Sequence, residues 1–377
     1  MAKHQSNRAM RFSLRLLATG VAGAALLAQP LAASACTSLL VKTKDGDAIY
    51  GRTMEFSLPL NSEAMVMPRK TALVATGPDS KAGSGKSWTS KYGVIGLNAL
   101  GMQRFVDGMN EKGLTGGLLY LPGLAEFQDV TANEAKNSIA SWELLTYVLT
   151  SFATVDEVKE NLPKIKVNRA EQDVFKSAVP LHMTLHDATG ASLVVEYIGG
   201  KLQMHDNPTG VLTNAPAFDW HIANLGQYLN LNPKEPAPFT IGGLTISAPS
   251  TGAGLHGIPG DVLSPSRFVR AFIYSQTAPA PATREEGVLT VSHIMNNFDI
   301  PPGSVVTSAD SAAGGGVAGN ETTEWTVYAD IKGGLYYFNT YQNPAPRMMD
   351  IHKVNLDADK VTTYPIEQPG TAIPVGQ

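Results

Sequence analysis

Residues 33–56 read ASACTSLLVKTKDGDAIYGRTMEF. Two β-rich runs, 37–43 (TSLLVKT) and 48–54 (AIYGRTM), flank Lys44-Asp45-Gly46-Asp47. Asp-Gly between two such runs predicts a hairpin, because glycine reaches the positive φ that a tight turn requires. A hairpin that begins at Thr37 puts Cys36 at the start of a strand on the edge of a sheet. Cys36 is also the single cysteine of the chain. One cysteine forms neither an intramolecular disulfide nor a multi-cysteine metal site, so its place needs another explanation.

The residues upstream supply one. Lys3, Arg8, Arg11 and Arg15 precede the uncharged run LATGVAGAALLAQPLAA (17–33), which ends in Ala33-Ser34-Ala35. A basic start, a short apolar core and small residues at −3 and −1 predict a secretory signal peptide over 1–35, removed after Ala35. The core is shorter than the ~20 apolar residues of a permanent span, and no other stretch is apolar enough, so no stable membrane span is expected. Cleavage removes four positive charges and takes the net charge from −4 to −8. It also makes Cys36 residue one. Two readings of that placement stand open: an acylated lipoprotein cysteine, although Ala33 stands where that pattern wants a large aliphatic residue, or a nucleophile whose own α-amino group is its base. Only a free amine, titrating near pH ~8, serves as such a base; a peptide nitrogen does not.

The chain further out is globular in composition, with 43% hydrophobic and 16% charged residues among 377. Lys plus Arg is 29 against 33 Asp plus Glu, without a basic run, which excludes an electrostatic footprint for nucleic acid. The segments 93–100 and 105–121 predict two strands joined by Asn110-Glu111-Lys112-Gly113. Apolar residues at helical spacing predict a helix over 138–152, and Thr154 with Glu157 caps a short one ended by Pro163. Residues 182–206 alternate strand and turn signals, with turns at Thr189-Gly190 and Gly199-Gly200. Residues 236–263 form a Gly/Pro-rich loop before a helix that opens at Ser264-Pro265. Residues 277–287 look like a mobile connector, and 324–341 like a hairpin around Lys332-Gly333-Gly334. Strands at both ends with helices between them predict an α+β layered domain occupying 36–377.

Several of these segments, taken in order, resemble the choloylglycine hydrolase family, which contains the conjugated bile acid hydrolases and penicillin V acylases. They are Cys36-Thr37-Ser38, Gly51-Arg52-Thr53-Met54-Glu55-Phe56, Asp107-Gly108-Met109-Asn110-Glu111-Lys112-Gly113-Leu114, Leu212-Thr213-Asn214-Ala215-Pro216-Ala217-Phe218-Asp219-Trp220, Ser266-Arg267-Phe268 and the closing WTVYADIKGGLYYFNTY. The resemblance implies an N-terminal nucleophile hydrolase, a four-layer αββα sandwich, acting on linear amide bonds of small molecules without a cofactor or metal. By the same resemblance Cys36 is the nucleophile and Arg52 lies beside the thiol. Asn214 donates to the oxyanion, Arg267 holds the charge network, and Glu55, where the family usually has Asp, holds the α-amino group. Tyr120 falls where bile acid hydrolases tend to have Asn and penicillin V acylases Tyr, its backbone N–H being the second oxyanion donor. Together with the export signal this implies the exported Gram-negative branch, a periplasmic location, and a penicillin V or N-acyl homoserine lactone substrate. A conjugated bile salt is the alternative, and a homo-oligomer is left open.

Taken singly, Arg52 reads as a surface strand residue, Asn214 before Ala-Pro as a turn former, and Arg267 as a solvated helix charge. His182 and His186 lie on one strand face, yet no third ligand is spaced with them, so a metal site is not expected. Trp220, Trp325 and Tyr336-Tyr337-Phe338 read as core. From another functional class, a lipid-anchored exported binding protein using Cys36 only for acylation is the rival to the enzyme.

Overall fold

The computed structural model describes residues 35–308 and 318–371; the predicted signal segment up to Ser34 lies outside them. Thr37–Lys42 and Ala48–Phe56 pair antiparallel with Ser38 opposite Arg52, and Gly46 makes the turn at φ 84°. Two large sheets follow. The first runs Thr37–Lys42, Ala48–Phe56, Gly319–Asp330, Leu335–Thr340, Asn343–Asp350, with Val305–Thr307 also paired to Gly319–Asp330. The second has eight strands in the order Lys201–Asp206, Ser192–Ile198, Leu181–His186, Thr115–Tyr120, Phe105–Asn110, Val94–Asn98, Glu63–Met67, Thr362–Pro365.

All nine residues of Ala48–Phe56 are buried, because this strand is covered on both faces. On one side helix Arg284–Met295 lies so close that a Cβ on Gly51 would fall 2.3 Å from Val291 Cγ1; only glycine admits that approach. On the other side the Tyr50 ring packs at a tilt against His186 of the second sheet, with 5.2 Å between ring centroids. Helix Ser264–Thr277 packs beside Arg284–Met295 on the first sheet, and helix Leu144–Ser151 covers the second. The result is an αββα sandwich, with one core between the sheets and beneath the first pair of helices and another beneath Leu144–Ser151.

Three local expectations are corrected. Helix over 138–152 begins only at Leu144: Ser138–Ala140 is a strand parallel to Lys166–Asn168, and the Ala140 N–H donates to Glu143 Oε2 at 3.0 Å, which caps the turn that follows. The connector 277–287 already contains a helix start, since Thr283 accepts from Glu286 N–H and Glu286 Oε2 accepts from Ala282 N–H. Trp220 is 46% exposed rather than core, whereas Trp325 and Tyr336 are buried. Among the described residues no helix is long and apolar enough to cross a membrane.

Candidate active site

Cys36 sits where the first strand begins, 2% exposed, at the floor of an apolar cleft between the sheets. Its Sγ lies 3.8 Å from Met54 Sδ and 3.7 Å from Arg52 Nη2. Arg52 is delivered there by strand periodicity: Tyr50, Arg52, Met54 and Phe56 share the face that meets the second sheet. Its guanidinium donates to Val106 O at 2.9 Å, to Leu118 O, and to Asp107 Oδ2 at 3.2 Å, and lies 5.2 Å from the centre of the Trp325 ring. Burial opposes that charge, but the electrostatic pull of Cys36 and Asp107 outweighs it, so Arg52 is held above its ordinary value. A permanent positive charge therefore stands beside the sulfur.

Asp107 completes this half of the site. The Tyr50 hydroxyl donates to its Oδ2 and the Tyr336 hydroxyl to its Oδ1, each at 2.7 Å. Burial pushes the carboxyl up, while Arg52 and the two phenols pull it back toward the charged form. Space for the pair depends on Gly117, where a Cβ would lie 2.5 Å from Asp107 Oδ2 and 2.8 Å from Arg52 Nη1.

The other half clamps the backbone of Cys36. With Ala35 attached, the Cys36 nitrogen is a peptide N–H and donates to Asn214 Oδ1 at 2.8 Å. Arg267 donates to Cys36 O, to Thr37 Oγ1 at 2.8 Å and to the same Asn214 Oδ1 at 2.8 Å. These donors settle the orientation of the Asn214 amide: its Nδ2 faces the Tyr120 carbonyl at 2.8 Å, and the NH2 group has a second hydrogen besides. Asn214 is itself held from behind. His182 Nε2 meets Thr213 O at 2.9 Å while its Nδ1 meets Glu196 Oε1 at 3.0 Å, and His221 Nε2 meets Asn214 O at 2.9 Å. Burial lowers His221 to about 4, so near neutrality its ring is uncharged and must carry its proton on Nε2 to donate.

Glu55 stands on the opposite face of its strand from Arg52. Its Oε1 accepts from Thr323 Oγ1 at 3.0 Å, and it interacts with Arg267. Burial drives its carboxyl well above the usual range, against the pull of Arg267. The Cys36 N–H goes to Asn214, and the neighbouring Ala35 N–H goes to Glu321 Oε1 at 2.5 Å. Burial lowers Arg267, and the electrostatic influence of Glu55, Glu321 and Cys36 opposes that fall. Tyr120, its phenol pushed up to about 12 by burial, sets its ring edge-on to Phe56 at 5.9 Å, and Phe56 meets Phe175 at 5.8 Å. They line the apolar cleft above Cys36 together with Met54, Leu118 and Leu181.

The structure thus brings Cys36, Arg52, Asn214, Arg267 and Tyr120 together, with Glu55 behind them. Reading the sequence missed Asp107 as the partner of Arg52, and missed Glu321 altogether. A period-two face through Tyr50, Arg52 and Met54 was the available signal that the arginine points inward and needs a buried carboxylate. His182 and His186 are not joined by a third ligand: among the described residues no group of three or more His, Cys, Asp or Glu is placed to hold a metal.

A cysteine in an apolar cleft, flanked by an arginine and a backbone-clamping asparagine at the edge of an αββα sandwich, is an arrangement suited to nucleophilic attack on an acyl carbon. The model of the linear amide C–N hydrolases, choloylglycine hydrolase family, matches residues 36–364, and the chain belongs to that family. It is 33% identical over 333 residues to the bile salt hydrolase/transferase of Clostridium perfringens, covering 87% of this chain and 96% of that protein. To the penicillin V acylase of Pectobacterium atrosepticum it is 31% identical over 289 residues, covering 71% and 68%. Two solved structures share the fold. The conjugated bile acid hydrolase of C. perfringens superposes with TM-score 0.78 at 32% identity, covering 90% of this chain and all of that one. The penicillin V acylase of Agrobacterium tumefaciens does so with 0.70 at 25%, covering 88% and 91%.

Proposed function

We propose that this chain is an exported amidohydrolase, processed after Ala35, that uses Cys36 as an N-terminal nucleophile to cleave small amides with a flat aromatic or fatty acyl group, as in penicillin V or an N-acyl homoserine lactone. Its setting is the periplasm of a Gram-negative bacterium, with 36–377 as the working unit. The observation that carries the substrate class is the cleft above Cys36, whose wall is the aromatic run Tyr120–Phe56–Phe175. Such a wall takes an aryl or alkyl chain by burial of apolar area.

The chemistry follows from the groups around the sulfur. Once residues 1–35 are removed, the Cys36 nitrogen becomes an amine, oriented by Asn214 Oδ1. The thiol proton passes to it as the sulfur attacks the acyl carbon. Oxygen charge is met by the second hydrogen of Asn214 Nδ2 and by the Tyr120 N–H. The C–N bond breaks, the leaving amine takes the proton from the α-ammonium, and water then hydrolyses the thioester, returning the thiol. Arg52 faces the sulfur throughout.

The 33% identity to a protein named bile salt hydrolase/transferase favours a second reading, a conjugated bile salt as substrate. Purified mature protein assayed on penicillin V, glycocholate and an acyl homoserine lactone decides between them. Greatest kcat/KM on the first or third supports the acyl reading; a more than tenfold preference for glycocholate overturns it. Intact mass of the processed chain tests the rest: a free cysteine at residue 36 is expected, and a diacylglyceryl adduct would make Cys36 an anchor.

A further inference from the structure

The wall of the cleft above Cys36 includes one side-chain amide, that of Gln172, which is 9% exposed. Its environment fixes which way it points. Gln172 closes a tight loop: its N–H donates to Ser177 O at 3.0 Å, and its carbonyl accepts from Phe175 and Lys176 N–H at 3.1 and 2.8 Å. Within the loop its side-chain Oε1 accepts from Val174 N–H at 2.6 Å and Phe175 N–H at 3.3 Å. Those two donors leave only the oxygen assignment for that end of the amide. The Nε2 end therefore points away from the loop, toward the thioether of Met102 at 4.0 Å, and Met102 lines the cleft together with Gln172. A thioether is a weak acceptor, and an amide nitrogen carries two hydrogens. A buried donor placed among aliphatic and aromatic groups is costly unless a stronger acceptor reaches it, and a substrate bound in this cleft can bring one.

We propose that Gln172 Nε2 reads a hydrogen-bond acceptor inside the acyl group of the substrate, an ether or ketone oxygen, so that acyl amides with an oxygen in the chain are preferred over their all-carbon counterparts. The inference rests on the acyl-amide reading above and narrows its substrate class. A phenoxyacetyl group and a 3-oxoacyl group both place such an oxygen at the third atom of the chain; a 3-phenylpropionyl group replaces the ether oxygen with CH2 at nearly the same shape.

The test is the ratio of kcat/KM for penicillin V to that for the 3-phenylpropionyl amide of the same amine, in the parent and in two variants. Gln172→Leu removes the amide entirely. Gln172→Glu keeps an oxygen for the Val174 and Phe175 N–H groups, and so keeps the loop, but removes both hydrogens of Nε2. The parent is expected to favour the ether by about tenfold, as for a single hydrogen bond to a well-placed donor. The ratio should fall to about one in Gln172→Leu and to one or below in Gln172→Glu, where oxygen would meet oxygen. Should Gln172→Leu fold poorly by circular dichroism, Gln172→Glu alone decides. Both amides cleaved with a ratio near ten in the variants overturns the inference and leaves the acyl-amide reading standing; the Tyr120 phenol or the Trp142 indole, also in the wall, would then be the donor. Neither amide cleaved by the parent overturns the acyl-amide reading and this inference with it.

Discussion

Arg52 and Glu55, three residues apart on one extended strand, face opposite sides of the first sheet. Arg52 reaches across to Asp107 and the cysteine sulfur, and Glu55 joins Arg267 and Glu321 on the helix side. The two charge groups meet at Cys36, whose sulfur belongs to the first and whose backbone belongs to the second. Each is buried, so neither is screened by solvent, and an unmatched charge in either is costly.

The pair of Arg52 and Asp107 gives the sharpest test of that argument. Asp107→Asn keeps the shape but leaves Arg52 buried without its counter-ion, and turns one of the two acceptors of the Tyr50 and Tyr336 hydroxyls into a donor. A loss of about 3–5 kcal/mol is expected, the usual cost of breaking a buried pair by removing one partner. Urea unfolding measures it. A change below about 1 kcal/mol would mean that Arg52 is neutralised by something other than Asp107.

Cys36→Ala should abolish amide hydrolysis at an unchanged melting temperature, since it removes the thiol and little packing. Chain retained with residues 1–35 attached should be equally inactive even when folded, because its Cys36 nitrogen is a peptide N–H donating to Asn214. Equal turnover by uncut and cut protein, checked by N-terminal sequencing, would show that the α-amino group is not the base.

Much of this architecture was legible where the signal was local. The hairpin around Gly46, the strands between Leu181 and Asp206 and the closing hairpin at Lys332-Gly333-Gly334 all follow from turn residues between β-rich runs. Arg52, Asn214 and Arg267 were singled out by the ordered, family-like motifs they lie in, since taken singly each has an ordinary reading, and Cys36 by its place after the predicted cut. What stayed hidden is what sequence distance hides. Asp107 is 55 residues from Arg52 and on the other sheet, and its two phenols come from strands 57 and 229 residues away. Glu321 bonds a residue 286 positions earlier. No window along the chain contains both ends of these contacts. The start of helix Arg284–Met295 is a different case, for the Thr283 to Glu286 capping pattern was present and was overlooked beside the Pro-rich run before it.

His186 provides a pH test separate from the chemistry. Burial lowers it to about 3 in the folded chain, where its ring packs against Tyr50, against an unfolded value near ~6.5. The folded pKa lies below the unfolded one, so below pH ~6.5 the unfolded chain binds the extra proton and stability falls as pH falls toward 3. Between pH 7.5 and 4.5 this group alone should cost about 2–3 kcal/mol, at ~1.4 kcal/mol per pH unit. His186→Gln should be less stable at pH 7.5 but lose that much less on acidification. Parallel stability curves for the two proteins would show that His186 is charged in the fold.

Tyr120 tests substrate choice. Its carbonyl holds Asn214 and its ring fills the cleft beside Phe56, so the two functions of the residue are separable: Tyr120→Asn leaves the backbone carbonyl in place and removes only the ring. If the ring shapes the acyl site, the loss should fall unequally on substrates. A phenoxyacetyl or alkyl chain loses a wall it packs against, whereas a rigid steroid acid gains room. One altered wall is worth about 1–3 kcal/mol, or roughly 10- to 200-fold in specificity. The ratio of kcat/KM for penicillin V to that for glycocholate should therefore fall by at least about tenfold in Tyr120→Asn, with Tyr120→Phe close to the parent because the ring and not the hydroxyl makes the contact with Phe56. Equal losses on both substrates would instead make Tyr120 a support for Asn214, and its ring would carry no information about the acyl group.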